Sequence, residues 1–123
     1  MTPQELEGRL IDFSIQVIEI IRSVTPSEPG ISLAKQLSRS GTSAALNYGE
    51  AISAESNKDF LHKMKIVLKE LRETHIGLRI LFKAKLYCGQ ESTLVSAIEE
   101  NNELISIFVA SVKTAQHGKK SKI

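Results

Sequence analysis

Tryptophan is absent, cysteine occurs once and proline three times in 123 residues, and aromatic side chains make up only 5% of the chain. The lone Cys88 excludes an intramolecular disulfide and a multi-cysteine zinc site, and its place beside Gly89 reads as a helix end rather than a nucleophile. With so few aromatics the core has to be aliphatic and well patterned. No uncharged stretch approaches the 18 or so apolar residues of a membrane span, and the start Met1-Thr2-Pro3-Gln4-Glu5 lacks the features of a signal peptide. A cytoplasmic protein without membrane contact is expected. His62, His75 and His117 share no i, i+4 spacing, so no helical zinc pair is present. Catalysis would need a nucleophile, a metal set or a partnered base, and none stands at a recognisable spacing, so neither enzymatic activity nor a cofactor is expected.

What is there fits one soluble domain: 123 residues with 41% apolar side chains. The net charge of +2 is unevenly spread, since residues 1–30 carry −3, residues 31–86 carry +5, and residues 87–123 balance. The middle of the chain is its basic part. Lys113, Lys119, Lys120 and Lys122 lie beyond the last acid, and residues 117–123 are expected to form a basic, disordered tail after a domain spanning residues 1–116.

Four helical patterns follow in order. Thr2, Pro3 and Glu5 form a capping-box start, and Leu6, Leu10, Phe13, Val17, Ile20 and Val24 mark a seam running to about Val24. Ile11, Ile15, Ile18 and Ile21 widen that seam, so this helix is either central in its own bundle or meets another subunit. Thr25-Pro26-Ser27-Glu28-Pro29-Gly30 turns the chain. The second helix, about Ile31 to Ala54, buries Leu33, Leu37, Gly41, Ala44, Ala45, Tyr48 and Ile52. Gly41 and Gly49 each cost about 1 kcal/mol relative to Ala, which predicts close approach of a neighbouring helix.

Ser56 caps a third helix that reaches toward Tyr87 before Gly89, and a fourth begins near Glu91 or Ser92 with Leu94, Ile98, Ile105, Phe108 and Val112 inward. Long helices, short joints and no strand pattern or internal repeat predict an all-α, antiparallel up-down four-helix bundle.

The third helix separates charge from apolar surface. At 100° per residue, Lys58, His62, Lys65, Lys69, Arg72, Arg79 and Lys83 fall within about 100° of arc, opposite Phe60, Met64, Val67, Leu71, His75, Leu78 and Phe82. As a nucleic-acid surface, Lys58, Lys65, Lys69, Arg72, Arg79 and Lys83 would contact phosphates. As an ordinary solvated face, they would only keep the helix soluble. Ile76 and Ile80 border the stripe and, with Ile66 and the wide first helix, suggest apolar surface reserved for neighbouring protomers.

Gln36 to Ser43, Asn47-Tyr48-Gly49-Glu50-Ala51, Lys58 to Ile66, Leu68-Lys69-Glu70 and Glu73-Thr74 together resemble the bacterial four-helix bundle proteins related to those encoded by 23S rRNA intervening sequences. The resemblance covers about residues 6 to 115. It implies an up-down bundle assembling as a ring-shaped homopentamer. The family includes the basic accessory proteins of diversity-generating retroelements, which bind nucleic acid and work with a reverse transcriptase. RNA or DNA and a reverse transcriptase or other protein are therefore the implied partners, and a protein-interaction scaffold of undefined activity is the alternative. Ala44 stands where an Ile is common in the family and Tyr48 where an aliphatic is usual, changes of packing bulk rather than charge. The family's polar positions here are Arg39, Asn47, Glu50 and Glu73. A structural network fixing helix register or subunit contacts is expected of them, in preference to a ligand site, with Arg39 meeting Glu73.

Overall fold

In the computed structural model, residues 1–117 are described. They form α1 (Pro3–Ile21), α2 (Glu28–Ile52), α3 (Asn57–Lys83) and α4 (Glu91–Gln116). Each helix packs on the next and α4 closes back on α1, while the backbones of diagonal helices stay apart and meet only through core side chains. The turns after α1 and after α3 meet at one end: Cys88 N donates to Ser23 O at 2.7 Å and Thr25 N to Leu86 O at 2.8 Å, around an isolated bridge between Val24 and Tyr87. At the other end Asn57 Nδ2 on α3 donates to Ala115 O on α4 at 3.2 Å. The bundle is thus up-down-up-down. The basic tail expected over residues 117–123 lies outside the described residues except for exposed His117.

Local chemistry sets the ends. Thr2 and Glu5 make the full capping box at α1, and Ser56 accepts from Asp59 N at α3. α1 stops at Ile21 rather than near Val24, because the next residues are drawn into the bridge with the α3–α4 turn. α2 begins earlier than its seam suggests, at Glu28 under the Ser27 cap, with Pro29 inside the first turn where its missing N–H costs nothing. It ends at Ile52, two residues before Ala54. α3 stops at Lys83 rather than near Tyr87, since Lys85 adopts φ 55° and turns the chain before Gly89.

The core is aliphatic with four large rings buried in it: Phe13, Phe60, Phe108 and Tyr48, the last two edge to face with centroids 5.5 Å apart. On α3 the buried seam is Phe60, Met64, Val67, Leu71, Thr74, Leu78 and Leu81. Those seven positions keep a strict alternation of three and four, the 3.5-residue repeat of helices that coil around one another. This corrects the straight-wheel expectation at the far end of the helix. An ideal wheel drifts about 20° per heptad against the seam, so by the fourth turn pair it assigns Phe82 to the core. Leu81 is buried there instead, Phe82 is 40% exposed and His75 is half-buried.

Two predicted reasons for helical glycine separate as well. A Cβ on Gly41 would stand 2.7 Å from Val17 Cγ1, so α1 does lie tight against α2 there. At Gly49 the nearest atom would be Glu7 Oε2 at 3.7 Å, an ordinary contact, so close approach does not account for that residue.

Candidate nucleic-acid interface

The basic face of α3 exists as a surface. Lys58, His62, Lys65, Lys69, Arg72, Arg79 and Lys83 are all exposed. Along the 27-residue helix they extend over about 38 Å. From Lys58 to Arg72 the face is continuously basic. Beyond it Ile76 and Ile80, both exposed, stand between Arg72 and Lys83.

None of these side chains is in an ion pair among the described residues, and neither are Lys35, Lys85 and Lys113, which lie off the stripe. Arg9, Arg22, Arg39 and Lys63 are all engaged. Arg9 on α1 grips Glu100 of α4 through Nε at 2.7 Å and Nη2 at 2.8 Å, with Glu103 at 3.1 Å, and the Glu100 hydrogen bond, against some desolvation, raises its pKa further above the ordinary guanidinium value. Lys63 Nζ donates to Glu50 Oε1 at 2.8 Å, which raises its pKa. Glu50, Glu70 and Glu73 are thereby held by Lys63 and Arg39, neither of which belongs to the stripe, while Asp59, exposed beside Lys58, is in no ion pair among the described residues.

The four polar positions implied by family resemblance fall into three separate contacts. Arg39 of α2 reaches α3 with both arms, Nη1 donating to Glu70 Oε2 at 3.1 Å and Nη2 to Glu73 Oε2 at 2.5 Å. The Glu73 hydrogen bond and then the Glu70 charge raise its pKa. Glu50 instead meets Lys63, and Asn47 Nδ2 bonds Ser43 O and Oγ within its own helix. The pairs join α2 to α3 but do not form one network.

Three polar arrangements had no clear signal in the sequence. Thr74 Oγ1 donates to Glu70 O at 2.8 Å and lies 2.9 Å from Ser40 Oγ, and Ser14 Oγ lies 2.8 Å from Gly41 O, so buried hydroxyls pin α2 to both of its neighbours. Asn101 is wholly buried, and neither amide atom has a hydrogen-bond partner among the described residues. Small hydroxyl residues satisfy helix periodicity as easily as alanine, which is why spacing alone does not flag them.

Exposed large apolar side chains occur on three helices, with Ile31 and Leu46 on α2. Ile11, Ile15 and Ile18 line the outside of α1 and Ile76 and Ile80 that of α3, Phe82 is exposed on the side of α3 toward α4, and Ile66 is half-buried. Ile76, Arg79, Ile80, Lys83 and Ala84 bound a shallow depression of about 290 Å³. No group of three or more His, Cys, Asp or Glu side chains able to hold a metal occurs among the described residues, and no helix there is long and apolar enough to cross a membrane.

Comparison with known proteins places this geometry. The family model described as 23S rRNA-intervening sequence protein matches residues 8–110. A crystal structure of a protein of unknown function from the S23 ribosomal protein family of Bacteroides thetaiotaomicron VPI-5482 is similar, with a TM-score of 0.81 and 25% identity, over 93% of this chain and 100% of that one. No curated protein matches in sequence.

Proposed function

The chain belongs to the 23S rRNA-intervening sequence protein family, and from that premise we propose that it is a non-enzymatic, cytoplasmic homo-oligomer that binds RNA or DNA through the basic face of α3 with little sequence specificity. The observation that carries this reading is the gathering of six unpaired cations on one helix face. Arg9, Arg22, Arg39 and Lys63 have carboxylate partners, while Lys58, Lys65, Lys69, Arg72, Arg79 and Lys83 are exposed and unpaired on one face. Unpaired lysines at separate levels of one helix suit phosphates, which offer charge at regular intervals and no base identity.

Assembly is supported by the isoleucines. Ile11, Ile15 and Ile18 on α1, Ile31 and Leu46 on α2, and Ile76 and Ile80 on α3 give a single bundle separate apolar outer patches, and different patches on one protomer suit head-to-tail contacts that close into a ring. A homopentamer, which the family resemblance implies, would repeat the basic face five times. The same isoleucines favour the second reading, a scaffold for a protein such as a reverse transcriptase, because they interrupt the stripe where phosphates would gain nothing from them.

A salt titration of RNA affinity, followed by anisotropy of a labelled strand, tests the first reading. Four to six phosphate contacts per site predict log K falling with log salt at a slope of about −3 to −5. Absence of binding at low salt would leave only the scaffold.

A further inference from the structure

Phe82 stands out because the seam passes it by. It is 40% exposed, yet it lies one turn from Arg79 and next to Lys83, the two unpaired cations at the C-terminal end of the stripe. His75, Arg79 and Phe82 follow one another at i, i+4 and i+7, so they form a single row on the side of α3 that faces α4. Across from them Val95 and Ile98 of α4 complete a groove of about 310 Å³. Glu99 stands on the α4 rim and is exposed.

We infer that this groove takes one unstacked base of a single-stranded nucleic acid, with the base against Phe82 over the Val95 and Ile98 floor and the flanking phosphates on Arg79 and Lys83. The inference rests on the nucleic-acid reading above and assigns it a strand type. An aromatic edge beside two free cations matches the two chemistries a nucleotide presents, a π-face and an anion, whereas a solvated face needs no ring and a phosphate track needs no apolar floor. Glu99 orients the strand by repelling phosphate, which holds the backbone on the α3 side and sends the base toward α4. His75 adds a half-buried ring rather than a charge: burial first, and then Arg79, lower its pKa below the ordinary histidine value. A duplex keeps its base faces stacked and cannot enter.

The chain has no tryptophan, so Phe82→Trp places a single indole at the groove, excited selectively over the two tyrosines at the red edge of absorption. The intact protein is titrated with a short single-stranded DNA and with an abasic strand of identical length and charge, following indole fluorescence and labelled-strand anisotropy together. The expected result is quenching by the ordinary strand and none by the abasic strand. Phe82→Ala should weaken the ordinary strand by about 5- to 100-fold, leave the abasic strand unchanged, and be restored by Phe82→Tyr. Equal affinity of the wild type for both strands, or binding without quenching, overturns the base site while leaving the phosphate-binding reading intact. No binding of either strand at low salt overturns both.

Discussion

Gly41 and Val17 are packed so closely that a methyl group on Gly41 would sit 2.7 Å from Val17 Cγ1 and 3.1 Å from its Cβ. Gly77 stands similarly against Leu37, 2.6 Å from Cδ2. Both neighbours are buried side chains, so one side or the other must shift. Gly41→Ala and Gly77→Ala are expected to lower stability by about 1–3 kcal/mol. Gly8 has nothing within 4 Å and Gly49 only Glu7 at 3.7 Å. Alanine at either should instead gain up to about 1 kcal/mol from helix propensity. Urea unfolding of the four variants checks the opposite signs.

The seam of α3 makes a sharper prediction from two adjacent residues. Leu81 is wholly buried and Phe82 is not. Leu81→Ala should cost about 2–5 kcal/mol and Phe82→Ala within about 1 kcal/mol, although the straight wheel favours the reverse order. Thermal unfolding of the pair decides between the 3.5-residue and the 3.6-residue registers.

Arg39 joins α2 to α3 through Glu70, only 5% exposed, and the more exposed Glu73. Removing Arg39 leaves the buried carboxylate without its cation, whereas removing Glu73 leaves Arg39 still on Glu70. The midpoint of unfolding should therefore fall more for Arg39→Ala than for Glu73→Ala. Mass measurement of both variants shows whether the pairing also bears on assembly.

Two groups give the fold a pH dependence at opposite ends. Burial, and then the charge of Glu7, push the Tyr48 phenol up to about 12 from its ordinary 10. The stability tied to its neutral form is complete below pH 10 and is lost as pH rises toward 12, a loss of roughly 2–3 kcal/mol at about 1.4 per pKa unit. Tyr48→Phe should remove this loss. The His75 pKa is lowered, so its contribution is complete above its ordinary 6.5 and shrinks as pH falls below that value. Denaturant titrations of wild type, Tyr48→Phe and His75→Gln across pH isolate each.

Much of this was legible in the sequence, and the reasons can be read at single positions. Helix number, order and antiparallel arrangement followed from apolar spacing, and the Thr2 box and Ser56 cap from short-range chemistry. Helix ends were less legible where distant turns set them, as Ser23 and Cys88 do at the ends of α1 and α3. Family membership was carried by several spaced motifs. Of the candidate surface, exposure of the basic residues was visible, but their freedom from carboxylates was not, because Arg39 and Lys63 claim those acids across a helix interface that no local pattern encodes. Phe82 was hidden by the small mismatch between 3.5 and 3.6 residues per turn.

The most direct test of the central claim is the affinity of the wild type and of Lys65→Glu/Lys69→Glu/Arg72→Glu for labelled RNA and DNA by anisotropy at several salt concentrations, after confirming that both have the same oligomer mass. The account predicts tight binding by the wild type that weakens steeply with salt, and its loss in the variant. Binding left untouched by the charge reversal, or absent from the wild type at low salt, would contradict it.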